Sequence, residues 1–122
     1  MEMWHFTARV IAIEQLADEN LLILGLADKT DQPAEYLTIQ RSFDQDDFEA
    51  EASDLDGYCV CLPNGATDYR CIERWELELG HLHIHFNQPA QAVFQLAGVD
   101  LSLIIDDQQH QQLQQTLNQL LT

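Results

Sequence analysis

Trp75-Glu76-Leu77-Glu78-Leu79-Gly80-His81-Leu82-His83-Ile84-His85-Phe86 alternates apolar and polar residues on both sides of Leu79-Gly80, and its reading decides the fold. A period of two marks a strand with one buried face, and glycine accepts the positive φ of a tight turn. With Leu79 and Gly80 as the turn, Leu77 falls opposite Leu82 and Trp75 opposite Ile84. Glu78 then faces His81, and Glu76 faces His83. One register gathers the apolar residues on one face and the polar ones on the other, as a hairpin over a core requires.

Working outward, residues 69–79 read as one strand, paired with a strand over 58–62 across the turn Pro63-Asn64-Gly65-Ala66. Residues 4–13 alternate up to Val10, after which Val10-Ile11-Ala12-Ile13 is continuous and predicts a bulge or a doubly buried end. Residues 21–27 (LLILGLA) are apolar on both faces, as in a central strand, and residues 36–40 form a short strand. Residues 89–98 fit either a short helix or a strand, and 99–105 read as the last strand. Asp106 or Asp107 caps a helix from about Gln108 to Leu121, with Leu113, Leu117, Leu120 and Leu121 on one face. The expected fold is α+β: a single mainly antiparallel β-sheet of six or seven strands with a C-terminal α-helix packed on it. Residues 1–122 are enough for one domain with a modest core.

The charge is lopsided: 21 acidic against 5 basic residues, a formal −16. Seven of the carboxylates fall in the fifteen residues Ser42–Asp56 (SFDQDDFEAEASDLD), which contain no Lys or Arg. Nucleic acid and anionic membrane surfaces are bound through Lys and Arg, so neither is an expected partner. The natural partner is a basic protein surface or a cation; the plainer alternative is that the charge only keeps the protein soluble. Hydrophobic residues at 46% are too many for a disordered acidic tail. No apolar run approaches the ~20 residues of a membrane span, and Met1–Phe6 carries no basic leader. The odd cysteine count argues for reduced thiols. A cytoplasmic protein is expected, monomeric or weakly dimeric.

Three places invite chemistry. His81, His83 and His85 point to one side of a strand, and a His-x-His pair can bind zinc through adjacent same-face residues. His81 and His85 are ~13 Å apart at ~3.3 Å per residue, so a metal would need a ligand from a neighbouring strand, with Glu76 or Glu78 in register. The alternative is a solvated row of Glu–His pairs. Cys59 and Cys61 share a face and Cys71 lies on the partner strand, but the spacing suits small buried residues better than a zinc site. Asp54-Leu55-Asp56-Gly57 lacks the further ligands of a calcium loop. No phosphate cradle, nucleophile elbow or His-Glu-x-x-His is present, so no enzymatic activity, cofactor or resident metal is expected.

A longer pattern joins these pieces. Gly25-Leu26-Ala27-Asp28, Tyr36-Leu37, Gln40-Arg41-Ser42, the acidic Asp46-Asp47, Asp56-Gly57-Tyr58, Tyr69 with Cys71-Ile72-Glu73, and the apolar strand Leu82–Phe86 follow in order. Over residues 6–87 this order resembles the immunity protein 10 family of bacterial polymorphic toxin systems. The sequence departs from the family pattern where Arg70 replaces a Gly and Cys61 a usually acidic residue. The resemblance implies a small protein that binds and occludes a cognate, basic, secreted toxin domain without catalysis of its own. The partner-binding residues it implies are Asp44, Asp46, Asp47, Glu49 and Glu51, then Tyr58, Tyr69 and Glu73. Two rival readings belong to other classes: a metal-binding module or metal-dependent enzyme built on the His81/His83/His85 strand, and a structural, oligomerising module.

Overall fold

The computed structural model describes residues 2–16, 21–31, 35–42 and 58–121. Along them run β1 (Met3–Ala8), β2 (Val10–Leu16), β3 (Leu21–Ala27), β4 (Tyr36–Ser42), β5 (Tyr58–Cys61), β6 (Thr67–Tyr69), β7 (Ile72–Glu78), β8 (His81–Phe86), α1 (Gln88–Phe94), β9 (Gly98–Leu103) and α2 (Asp107–Leu120). The hairpin pairs as its parity requires: Leu77 opposite Leu82, Trp75 opposite Ile84, Glu76 opposite His83 and Glu78 opposite His81. Gly80 takes φ +82° at the turn. The α+β class, the mainly antiparallel pairing and the packed C-terminal helix are all as expected.

The strands form two sheets, however, where one was expected. One has the order β1-β9-β8-β7 and the other β2-β3-β4-β5-β6. Two links carry the chain between them. At Arg9 the first strand breaks, and the buried parity passes from Phe6 and Ala8 to Ile11 and Ile13, which pair with the buried Leu26 and Leu24. The continuous run after Val10 thus marks a change of sheet, with the Arg9 amide donating to Ala27 O at 2.9 Å. The second link is Arg70-Cys71, where the expected strand over 69–79 divides into the end of β6 and all of β7. β1 runs parallel to β9, and this makes the smaller sheet mixed. Residues 89–98, compatible with helix or strand, are mostly helical: Asn87 caps α1 by accepting from the Ala90 amide, with Pro in its first turn.

Both sheets and both helices bury side chains in one core. Phe6, Leu82, Ile84, Phe86 and Leu101 come from the four-stranded sheet, and Leu24, Leu26, Leu37, Ile39 and Val60 from the five-stranded one. Phe94 of α1 and Leu113, Leu117 and Leu120 of α2 complete it. Asp106 caps α2 in a reciprocal box with Gln109. At the other end of α2, Arg41 Nη1 donates to Gln119 O and Leu120 O, both at 3.2 Å, placing a cation where the helix dipole is negative.

Arg70 sits at φ +52°, in the left-handed region. Its backbone is held there: its amide donates to Tyr58 O at 3.0 Å, and its carbonyl accepts from Asn87 Nδ2 at 2.9 Å. A side chain at such a φ costs about 1 kcal/mol that glycine does not incur. Arg70→Gly and Arg70→Ala both delete the side chain but differ in this strain. The glycine variant should therefore be the more stable of the two by about 1 kcal/mol, read by denaturant titration, and equal stabilities would refute the strain.

Candidate functional site

The expected partner-binding residues fall into two groups. Asp44, Asp46, Asp47, Glu49 and Glu51 lie outside the described residues. What is described is how the segment is anchored. β4 and β5 are hydrogen-bonded neighbours with Arg41 opposite Tyr58, so the chain leaves and re-enters at one end of the five-stranded sheet. The C-terminal carbonyls of α2 lie at that same end, joined to Arg41.

Tyr58, Tyr69 and Glu73 converge on the link between the sheets. The Tyr58 hydroxyl accepts from the Ile72 amide at 2.9 Å and contacts Ile72 O at 3.3 Å, bridging β5 to β7. Partial burial pushes its phenol up from the ordinary value. Tyr69, 37% exposed, pairs with Cys59 on the edge strand β6. Glu73 is exposed at the irregularity between Ile72 and Arg74 where β7 shifts register against β8. Tyr69 and Glu73 therefore present side chains to solvent on either side of Arg70-Cys71, while the Tyr58 hydroxyl is engaged by the backbone.

The cysteines read as packing residues, as expected from their type. Cys71 and Cys59 are buried, and burial first of all pushes their thiols up to about 12 and about 11. At those values the nucleophilic thiolate is scarcely populated near neutral pH.

The exposed face of the four-stranded sheet carries a denser constellation. Register places His5, Asp100, His83 and Glu76 in one row across β1, β9, β8 and β7, and Thr7, Ser102, His81 and Glu78 in the next. Asp100 is the hub. His81 Nε2 contacts its Oδ1, His83 Nδ1 lies 3.4 Å from the same oxygen, and His5 Nδ1 lies 3.5 Å from Oδ2. The His81 and His83 rings stack, with centroids 4.3 Å apart and planes 9° apart. Partial burial alone would raise the Asp100 carboxyl, but the His81 hydrogen bond and the charges of His81, His83 and His5 outweigh it. The carboxyl is held below its ordinary value.

The neighbouring-strand carboxylate expected beside the histidines was Glu76 or Glu78 of β7; the one gathered with His81 and His83 is Asp100 of β9, on the other side of β8. Sequence reading missed Asp100 because α1 stands between β8 and β9 in the chain, and His5 because β1 and β9 lie near its opposite ends. A faint signal existed: Asp100 is the one charge in the otherwise uncharged strand Gly98–Leu103.

Two surface clefts are of modest size. One, of about 320 Å³, lies between Ile11 and Ile13 of β2 and Gln109, Gln112, Gln115 and Thr116 of α2. The other, of about 310 Å³, is lined by Trp4, Glu35, Leu62, Pro63, Asn64 and Leu96, and in it the Trp4 indole donates to Glu35 at 3.3 Å. Neither lining pairs a nucleophile with a base.

Among the described residues no helix is long and apolar enough to cross a membrane. The family model described as Immunity protein 10 matches residues 7–111 of the chain. No curated protein and no solved structure matches it.

Proposed function

Because this chain belongs to the Immunity protein 10 family, the immunity side of a toxin system, we propose that it neutralises a cognate secreted toxin domain by binding and occluding it. The match over residues 7–111 carries this reading. The charge supports its finer part. A toxin that acts on an anionic substrate has a basic cleft, and a protein of formal charge −16 offers carboxylates where that substrate offers phosphates. The densest carboxylates are those of the Ser42–Asp56 segment, so Asp44, Asp46, Asp47, Glu49 and Glu51 make the principal contact. Tyr69 and Glu73 extend it, and Tyr58 holds the sheet link from which they project. Inhibition by occlusion needs no chemistry from the immunity protein, which acts as a binder in the cytoplasm of the producing cell, as a monomer or weak dimer.

The test is co-expression with the toxin domain encoded beside the gene. Growth should be rescued, and a stoichiometric complex should survive size-exclusion chromatography. Rescue without a complex would overturn occlusion and point to an antidote that modifies the toxin or its product.

A further inference from the structure

We propose that His81, His83 and Asp100, joined by His5, form a zinc site on the exposed face of the four-stranded sheet. The inference is independent of the immunity reading and starts from geometry. One ligand atom from each of His81, His83 and Asp100 lies within 4.8 Å of the others. Zinc bonds of about 2.0–2.2 Å at tetrahedral angles set ligand atoms about 3.3–3.5 Å apart. His83 Nδ1 and Asp100 Oδ1 stand at 3.4 Å, and His5 Nδ1 is 3.5 Å from the second carboxylate oxygen. The sheet register supplies this spacing. His5, Asp100 and His83 are direct cross-strand neighbours, and His81 is one same-face step along β8. A strand pair offering a His-x-His and an opposing carboxylate holds its ligands on backbone that is already ordered.

The His81 and His83 rings stack with planes 9° apart, so one of them turns about its Cβ–Cγ bond to bring both in-plane lone pairs onto one cation. A single divalent cation then accepts a lone pair from each ring and from the carboxylate together. Imidazole nitrogens favour zinc over magnesium or calcium, which take oxygen ligands. The formal charge of −16 raises the local concentration of any cation at the surface. Asp100 is the least exposed member at 19%, and His5, at 69%, is free to swing into the fourth position.

Tag-free protein titrated calorimetrically with zinc chloride tests the site. One zinc should bind per chain with a dissociation constant of about 10 µM or tighter, and His83→Ala and Asp100→Asn should each weaken it about tenfold or more. His85→Ala is the control: His85 lies on the same face of β8 but pairs with Gly98 and Arg74, and its loss should change affinity by less than about threefold. Circular dichroism of each variant confirms that the sheet persists. Absence of saturable one-to-one binding below about 100 µM zinc would overturn the proposal, as would an equal loss from His85→Ala, the mark of indiscriminate histidine binding.

Discussion

Gly98→Ala should lower the thermal midpoint by about 10–15 °C, whereas Gly25→Ala should leave it within about 2 °C. Gly25 lies within β3 and Gly98 opens β9, and each is paired with a neighbouring strand. A Cβ on Gly98 would stand 2.0 Å from Ile84 O and 3.1 Å from His85 Cα. Those atoms are backbone of the paired strand β8 and cannot rotate away. β8 and β9 must separate where His85 meets Gly98, beside the bond from the Phe86 amide to Ala97 O at 3.0 Å. Overpacking against a side chain costs about 1–3 kcal/mol, and a clash between main chains belongs at or above the top of that range. For a domain stable by about 5–15 kcal/mol this is a large fraction.

Gly25 supplies the contrast. A Cβ there meets Ala12 Cβ and Ala12 O, both at 3.8 Å, which is ordinary van der Waals contact. Thermal melts of the two variants decide the matter, and a Gly98→Ala midpoint within about 2 °C of the parent would refute the close approach. The variant should also lose zinc affinity, because Asp100 lies two residues further along the displaced strand.

How much of this was legible beforehand depended on the distance over which each signal acts. The β7–β8 register could be read because turn and alternation lie within twelve residues. Helix α2 could be read because Asp106 and the leucine spacing are local; the structure adds only the reciprocal partner, Gln109. The division into two sheets could not. Arg9 and Arg70-Cys71 are one- and two-residue links, and in sequence each looks like an irregular strand. The left-handed φ of Arg70 would have been announced by a glycine, and this chain has none there. The parallel pairing of β1 with β9 joins residues more than ninety positions apart, so the convergence of His5 and Asp100 left no pattern to find. The histidine row was visible as a row. Its carboxylate was sought on the wrong neighbouring strand because the hairpin with β7 was the one pairing the sequence specified for β8.

Reversing three carboxylates of the acidic segment, Asp46→Lys, Asp47→Lys and Glu49→Lys, should slow association with the toxin domain about 100-fold at low ionic strength. Each exchange adds two charges, so three take the formal charge from −16 to −10. A global effect of net charge must therefore be separated from a local contact. Glu2→Lys, Glu14→Lys and Asp31→Lys make the same change at exposed positions outside the segment. If encounter is steered by the protein's overall field alone, the two triple variants slow association equally. If the segment meets the basic cleft, the segment variant is slower by a further factor of about ten, because like charges then approach within a Debye length of about 10 Å. Raising salt from 0.05 to 0.5 M should shrink that gap, since exposed charges are screened while buried packing is not. The anchoring of β4 beside β5 leaves the fold outside the experiment, as both flanking strands keep their Arg41–Tyr58 pairing. Rates measured by stopped flow or surface plasmon resonance give the answer: equal slowing assigns the charge to steering, and unchanged binding by the segment variant places the interface elsewhere.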